Sequence, residues 1–229
     1  MEIIVENIPR FLTASWFTIQ ITAISVFIGF CMAIPLSVIR VSARKIFSLP
    51  VYAFTFYFRG TPLLVQIFLI YYGSGQFQAQ LQAAGLWHLF QSPWFCAVLS
   101  LTLNTAAYST EIFRGGIQGV PSGEIEAARA CGMSGVLLYR RIIIPRAIRI
   151  AWPSYTNEVI LLLQASSLVS IITVMDITGV AGEIATRSFA FYETYLFAAG
   201  LYLVIVYGVL WLFRCIEKRL NAYLSAESA

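Results

Sequence analysis

Two charged side chains sit inside otherwise uncharged apolar stretches: Arg59, followed by Gly60-Thr61-Pro62, and Glu158, preceded by Asn157. A charge within hydrocarbon is costly, so such groups face protein or water and mark candidate sites. A carboxylate there can hold the cationic side chain or amino group of a solute. It can equally close a permanent salt bridge with a neighbouring cation. At about 1.5 Å per helical residue, Arg59 lies roughly 16 Å and Glu158 roughly 12 Å from the ends of their stretches, so the two could meet. Gln164, Ser166 and Ser167 lie further along the Glu158 stretch and can hydrogen-bond an α-amino or carboxylate group. Serines also serve helix–helix packing, so both roles stay open for them. Gln66 and Asn104 offer the same chemistry from two other apolar stretches. Glu111 and Arg114 have the i,i+3 spacing of a helix ion pair.

Other chemistries lack their residues. His88 is the only histidine, and the four cysteines (Cys31, Cys96, Cys131 and Cys215) are far apart with no C-x-x-C pair. Neither a metal site nor a catalytic triad is expected. The lysines are Lys45 and Lys218, and neither lies in a G-K-[ST] sequence, so the chain has no P-loop. No catalytic residues, no cofactor-binding residues and no nucleic-acid partner are expected.

The elements that position these groups follow from composition. Of 229 residues, 59% are hydrophobic and 11% charged, and mean hydropathy is +0.78. Soluble domains carry about 25% charged residues, so this is an integral membrane protein. Five apolar spans are expected, at about 11–39, 48–73, 94–112, 150–175 and 194–213, within a single transmembrane domain covering 1–229. The Gly60-Thr61-Pro62 sequence predicts a kink in the second. The polar segment 73–82 reads as a loop. The acidic start, without a basic n-region, predicts that the first span is retained rather than cleaved. Lipid requires the spans to be helices, giving an all-α membrane fold.

Arg40, Arg44 and Lys45 follow the first span. Arg114, Arg129, Arg140, Arg141, Arg146 and Arg149 lie between the third and fourth, and Arg214, Lys218 and Arg219 follow the fifth. These basic residues mark the cytoplasmic side, which places the N-terminus outside and the C-terminus in the cytoplasm. Asp176, Glu183 and Glu193 then surround an outer loop and are expected to be solvated. Trp16, Trp87, Trp94 and Trp152 fall near span ends, as in interfacial aromatic belts.

The one sizeable cytoplasmic insertion, 114–149, contains "EAARACGMSGVLLYRRIIIP" (126–145). Ser122 is expected to cap a first short helix, with Glu124 and Glu126 in its early turns. Gly132 suits a left-handed C-cap, and Ser134 a second cap. The second helix, about 135–144, is expected to stop before Pro145. A surface helix in the lipid interface would favour bulky apolar residues. The small Ala127, Ala128 and Gly132 suit close approach of another protein, so docking into a groove is preferred.

The sequence Glu126-Ala127-Ala128, three residues, Gly132, nine residues, then Ile142-Ile143-Ile144-Pro145 resembles the EAA loop (E-A-A-x3-G-x9-I-x-L-P) of bacterial ABC-importer permeases. Ile144 in place of leucine is a mild departure. "FRGTPLLVQIFLIYYG" (58–73), "LNTAAYSTEIFRGGIQGVPSGEIEAARACGM" (103–133) and "NEVILLLQASSLVSIITVMDITG" (157–179) are similar to the polar amino-acid branch, notably its histidine/lysine-arginine and octopine/nopaline permeases. The likeness runs from about residue 13 to 219. It implies a coupling helix that seats in a separate ATPase subunit through Glu126, Ala127, Ala128 and Gly132. It implies two such ATPase subunits binding ATP and Mg2+, a second permease subunit (homologous or identical), an extracytoplasmic solute-binding protein, an amino-acid substrate, and a bacterial inner membrane whose lipid surrounds the spans. An ATP-independent secondary transporter or channel subunit is the alternative. The lack of an internal repeat and of a filter sequence weighs against it.

Overall fold

In the computed structural model, residues 2–42 and 44–220 are described; the ends of the expected 1–229 unit and Ala43 lie outside them. These residues form α1 (Glu2–Val41), α2 (Lys45–Gly60), α3 (Leu63–Ser74), α4 (Gln78–Ala83), α5 (Trp87–Phe90), α6 (Pro93–Gln118), α7 (Ser122–Ala130), α8 (Gly135–Leu138), α9 (Ile144–Ala165), α10 (Ile177–Ser188) and α11 (Phe191–Leu220). Among the described residues there is no strand.

Three stretches are long and apolar enough to cross a bilayer: Ile3–Val41, Gly135–Ile172 and Phe191–Leu220. The pair α2–α3 adds a fourth if it counts as one span. Helix α6, at 26 residues, is long enough but is not in this set. Its buried face carries Thr102, Asn104, Thr105, Ser109 and Thr110, which lower its hydropathy. The five expected spans are therefore not all uniformly apolar helices.

Helix α6 is central and packs against α1, α2, α3 and α9. Small residues make the approach close. A Cβ on Gly29 of α1 would come 2.4 Å from Thr105 Cγ2, and one on Gly116 of α6 would come 2.5 Å from the Ala147 carbonyl oxygen of α9. An aromatic cluster closes the same region. Phe30, Phe113 and Tyr155 sit with ring centroids 5.2–5.4 Å apart, and Trp152 stacks on Phe213 at 5.4 Å. Buried Trp152 thus belongs to this core, where its indole N–H also donates to the Phe213 carbonyl, and not to an interfacial belt.

Several local expectations are corrected. The kink at 60–62 is a full corner: α2 and the helix after it meet at 104°. Thr61 (φ −114°, ψ 144°) and Pro62 are extended, because a residue before proline is driven out of the helical region. The segment 73–82 is helical, continuing α3 through a 3₁₀ turn into α4. Pro121, extended, occupies the N-cap position of α7, so Ser122 begins that helix without capping it. Ser134 stands at the N-cap of α8 but makes no side-chain cap bond.

The second short helix does not stop before Pro145. It continues through a π turn at 139–143 into α9, and on through a 3₁₀ turn at 166–172. The widened turn accommodates a proline ring that would clash with the carbonyl four residues earlier in a regular helix. Asp176 is buried, at 1% exposure, and not solvated. It caps α10 by accepting from the Gly179 N–H (2.8 Å), and it accepts from the Tyr202 hydroxyl (2.9 Å). Glu183 is paired with both Arg10 (2.5 Å) and Arg187 (2.8 Å).

Gly116→Ala is expected to lower stability by about 1–3 kcal/mol through overpacking against α9. Gly115→Ala, whose added Cβ would meet nothing within 4 Å, serves as the control. Thermal melting of the solubilised protein should separate the two.

Candidate functional site: a glycine-jointed helix pair and a polar interior

The element α7–Gly132–α8 is built by backbone hydrogen bonds and one ion pair. At its joint the Gly132 N–H donates to the Arg129 carbonyl (2.9 Å) and the Met133 N–H to the Ala128 carbonyl (3.0 Å). This is the Schellman pattern, and Gly132 has the left-handed φ of +82° that it requires. Ala128 is buried with Ile117, Val120, Leu138, Ile143 and Ala147, which fixes one face of α7 against the rest of the chain. Glu124 pairs with Arg146 at 3.1 Å and braces α7 to α9.

Glu126, Ala127 and Gly132 are exposed on the other side, followed by Val136 at 82% exposure. Of the four residues expected at the docking surface, three face outward and Ala128 faces the chain's own core. Small exposed residues on a braced helix can enter a groove of another protein. No group there is placed for bond chemistry.

The polar interior residues fall into separate sets. Gln66, at 2% exposure, holds the corner between α2 and α3. Its side-chain nitrogen donates to the carbonyls of Phe58 (2.8 Å) and Thr61 (3.0 Å), and lies 2.9 Å from the Thr61 hydroxyl oxygen. Asn104 on α6 donates to Gln66 Oε1 at 3.1 Å. Gln66 thus satisfies backbone groups that the break leaves without helical partners, and Asn104 holds Gln66 in place.

Arg59 is exposed at the end of α2, its guanidinium 5.4 Å from the centre of the Tyr108 ring. The Tyr108 hydroxyl donates to the Arg59 carbonyl at 3.3 Å. Glu158 is buried at 7% exposure on α9, and among the described residues no ion pair joins it to Arg59. Its neighbour Asn157 is exposed.

Gln164 and Ser167 line a cavity of about 640 Å³ between α9, α10 and α11, together with Thr178, Tyr195, Tyr202 and Tyr207. Ser166 and Ser167 hydroxyls donate back to the Leu163 (2.7 Å) and Gln164 (2.8 Å) carbonyls, so each retains only acceptor capacity.

Three participants were not singled out from sequence. Tyr108 under Arg59 and Tyr202 on Asp176 carry no local signal. Arg40 joins the Glu111–Arg114 pair across helices, with Arg40 Nε 3.1 Å and Arg114 Nε 2.6 Å from the carboxylate. The Asp176 cap was legible, as an aspartate directly before an amphipathic run.

Residues 14–222 match the family described as binding-protein-dependent transport system inner membrane component, and the chain belongs to that family. It is similar to the nopaline transport system permease protein NocM of Agrobacterium fabrum, at 46% identity over 99% of this chain and 94% of that one. It is also similar to the histidine/lysine/arginine/ornithine transport system permease protein HisM of Escherichia coli K12, at 45% identity over 92% of this chain and 89% of that one. Among solved structures, an amino acid ABC transporter with histidines matches with a TM-score of 0.82 and 33% identity, covering 94% of this chain and 96% of that one. The MetNI methionine ABC transporter, at 19% identity and a TM-score of 0.78 over 94% and 98% of the two chains, shares the fold. Members of this family are permease subunits, not catalysts.

Gln66→Leu is expected to orphan buried carbonyls at the corner and destabilise the protein by about 1–3 kcal/mol. Asn104→Leu, which removes one bond, should cost less. Melting temperatures of both variants in one detergent test the order.

Proposed function

We propose that this chain is the permease subunit of an ATP-driven importer for polar amino acids, basic ones foremost, or opine-like derivatives in a bacterial inner membrane. The observation that carries the reading is the braced α7–Gly132–α8 element, which presents Glu126, Ala127 and Gly132 outward in a chain belonging to a binding-protein-dependent transport family. Named relatives that transport nopaline or histidine, lysine, arginine and ornithine support the substrate class. The chain crosses the membrane five times, by α1, α2–α3, α6, α8–α9 and α11, with its N-terminus outside. It pairs with a second permease subunit, two ATPase subunits that bind ATP and Mg2+, and an extracytoplasmic solute-binding protein. No observation favours an ATP-independent carrier or channel.

In this reading ATP-driven closure of the ATPase pair displaces α7. The Glu124–Arg146 pair and the Ala128 packing pass that displacement to α9, which carries Glu158. Glu158 attracts the cationic group of the solute. Gln164, Ser167 and exposed Asn157 supply hydrogen bonds, with Arg59 a candidate for the carboxylate. Gln66 and Asn104 act by shaping the wall, since their polar groups already serve the corner.

Two variants test this in proteoliposomes holding the whole assembly. Gly132→Asp places a charge on the docking face; the left-handed φ of +82° strains any side chain there, so Gly132→Asn, with the same strain and no charge, is the control for insertion. ATP hydrolysis should persist while uptake falls at least about tenfold, an effect of some 1.4 kcal/mol on coupling. Normal uptake by that variant would remove the docking assignment. Glu158→Gln should fold and shift preference away from basic solutes. An unchanged preference would exclude Glu158 from the path, and loss of folded protein would make it a structural residue.

A further inference from the structure

The elbow between α1 and α2 contains a basic pocket that the proposed path does not use. It has a volume of about 260 Å³ and is lined by Arg40, Lys45, Ser48, Leu49 and Tyr52. The Arg40 guanidinium is fixed from three directions. Its Nε donates to Glu111 (3.1 Å), one terminal nitrogen donates to the Ser48 hydroxyl oxygen (3.3 Å), and the Tyr52 ring centre lies 4.7 Å away. Ser48 in turn donates to the Arg40 carbonyl at 3.1 Å. A guanidinium has five N–H donors, so an immobilised Arg40 keeps donors for an anion.

The charge balance is positive. Glu111 is shared between Arg40 and Arg114, and Arg44 and Lys45 add two cations at the elbow. The sequence contains no aspartate or glutamate between Glu6 and Glu111, so α2–α5 carry no acid and those of α1, Glu2 and Glu6, lie at its opposite end. Beside the pocket, Ile46 and Leu49 are 76% and 64% exposed.

A cationic pocket bordered by bare apolar side chains matches an amphiphile with an anionic head. The connection from Val41 to Lys45 is short, which holds these cations at the level where two apolar helices leave the bilayer. Basic pockets at that level attract anionic headgroups. We propose that this elbow binds an anionic phospholipid, its phosphate against Arg40 and Lys45 and an acyl chain along Ile46 and Leu49. The proposal goes beyond the transport reading and rests only on α1 and α2 lying in a bilayer.

Native mass spectrometry of the delipidated full-length chain, titrated with phosphatidylglycerol or with zwitterionic phosphatidylethanolamine, tests it. Wild type should retain phosphatidylglycerol preferentially. Lys45→Glu reverses an exposed charge outside the Glu111 network and should weaken that binding at least about tenfold, leaving phosphatidylethanolamine unaffected. Equal phosphatidylglycerol binding by wild type and Lys45→Glu would overturn the proposal. Displacement of the lipid by millimolar inorganic phosphate would also overturn it, by making the pocket a soluble-anion site.

Discussion

A backbone inside hydrocarbon must find all its hydrogen-bond partners within the protein, because no water is there to take them. Straight helices meet that requirement by themselves, and the corner between α2 and α3 does not. At that corner the helix path turns through 104°, Pro62 lacks a donor, and the last carbonyls of α2 lose their helical partners. Gln66 reaches back from the next helix to take two of those carbonyls, and Asn104 holds Gln66 from α6. The position of Arg59, at the end of α2, follows from that arrangement. So does the shape of the wall that α2, α3 and α6 make together.

A local bond to the helix's own backbone serves many of the hydroxyls on these apolar helices, though not the buried Thr22, Thr102, Thr105 and Ser109. Thr13, Ser15, Thr18, Ser100, Thr110 and Thr156 each donate to a carbonyl four residues back on their own helix. A hydroxyl in such a helix is therefore weak evidence for a solute site. A buried carboxylate has no such local outlet, which is why Glu158 stands apart from the serines and threonines around it.

Much of this was legible in the sequence because it rests on spacing and composition. The membrane class came from scarce charge, and the glycine joint from Gly132 placed after a helix-forming run. The Glu111–Arg114 pair followed from its i,i+3 interval. What was not legible depends on contacts between distant segments. Arg40 is far from Glu111 in sequence, and Tyr202 is far from Asp176, so neither partnership leaves a local trace. Polar groups near an outer turn looked solvated for the same reason: Asp176 is a cap, and only the fold buries it. Sequence leaves Gln66 and Asn104 open between solute contact and packing, because it cannot show that Gln66 donates to a helix end and Asn104 to Gln66.

The π turn at 139–143 sets the rotational phase of everything after it. The buried positions run Leu138, Ile143, Ala147, Ala151, Tyr155 and Val159. One interval of five residues at the π turn is followed by intervals of four, as the looser turn demands. Removing a single residue there would restore a regular helix and rotate the segment beyond it by about 100° relative to α7. Ala147 would leave its contact with Gly116, and Glu158 would swing out of the interior. The count of nine residues between Gly132 and Ile142 thus acts as an index mark, aligning the exposed face of α7, just before this continuous helix, with a carboxylate buried further along it.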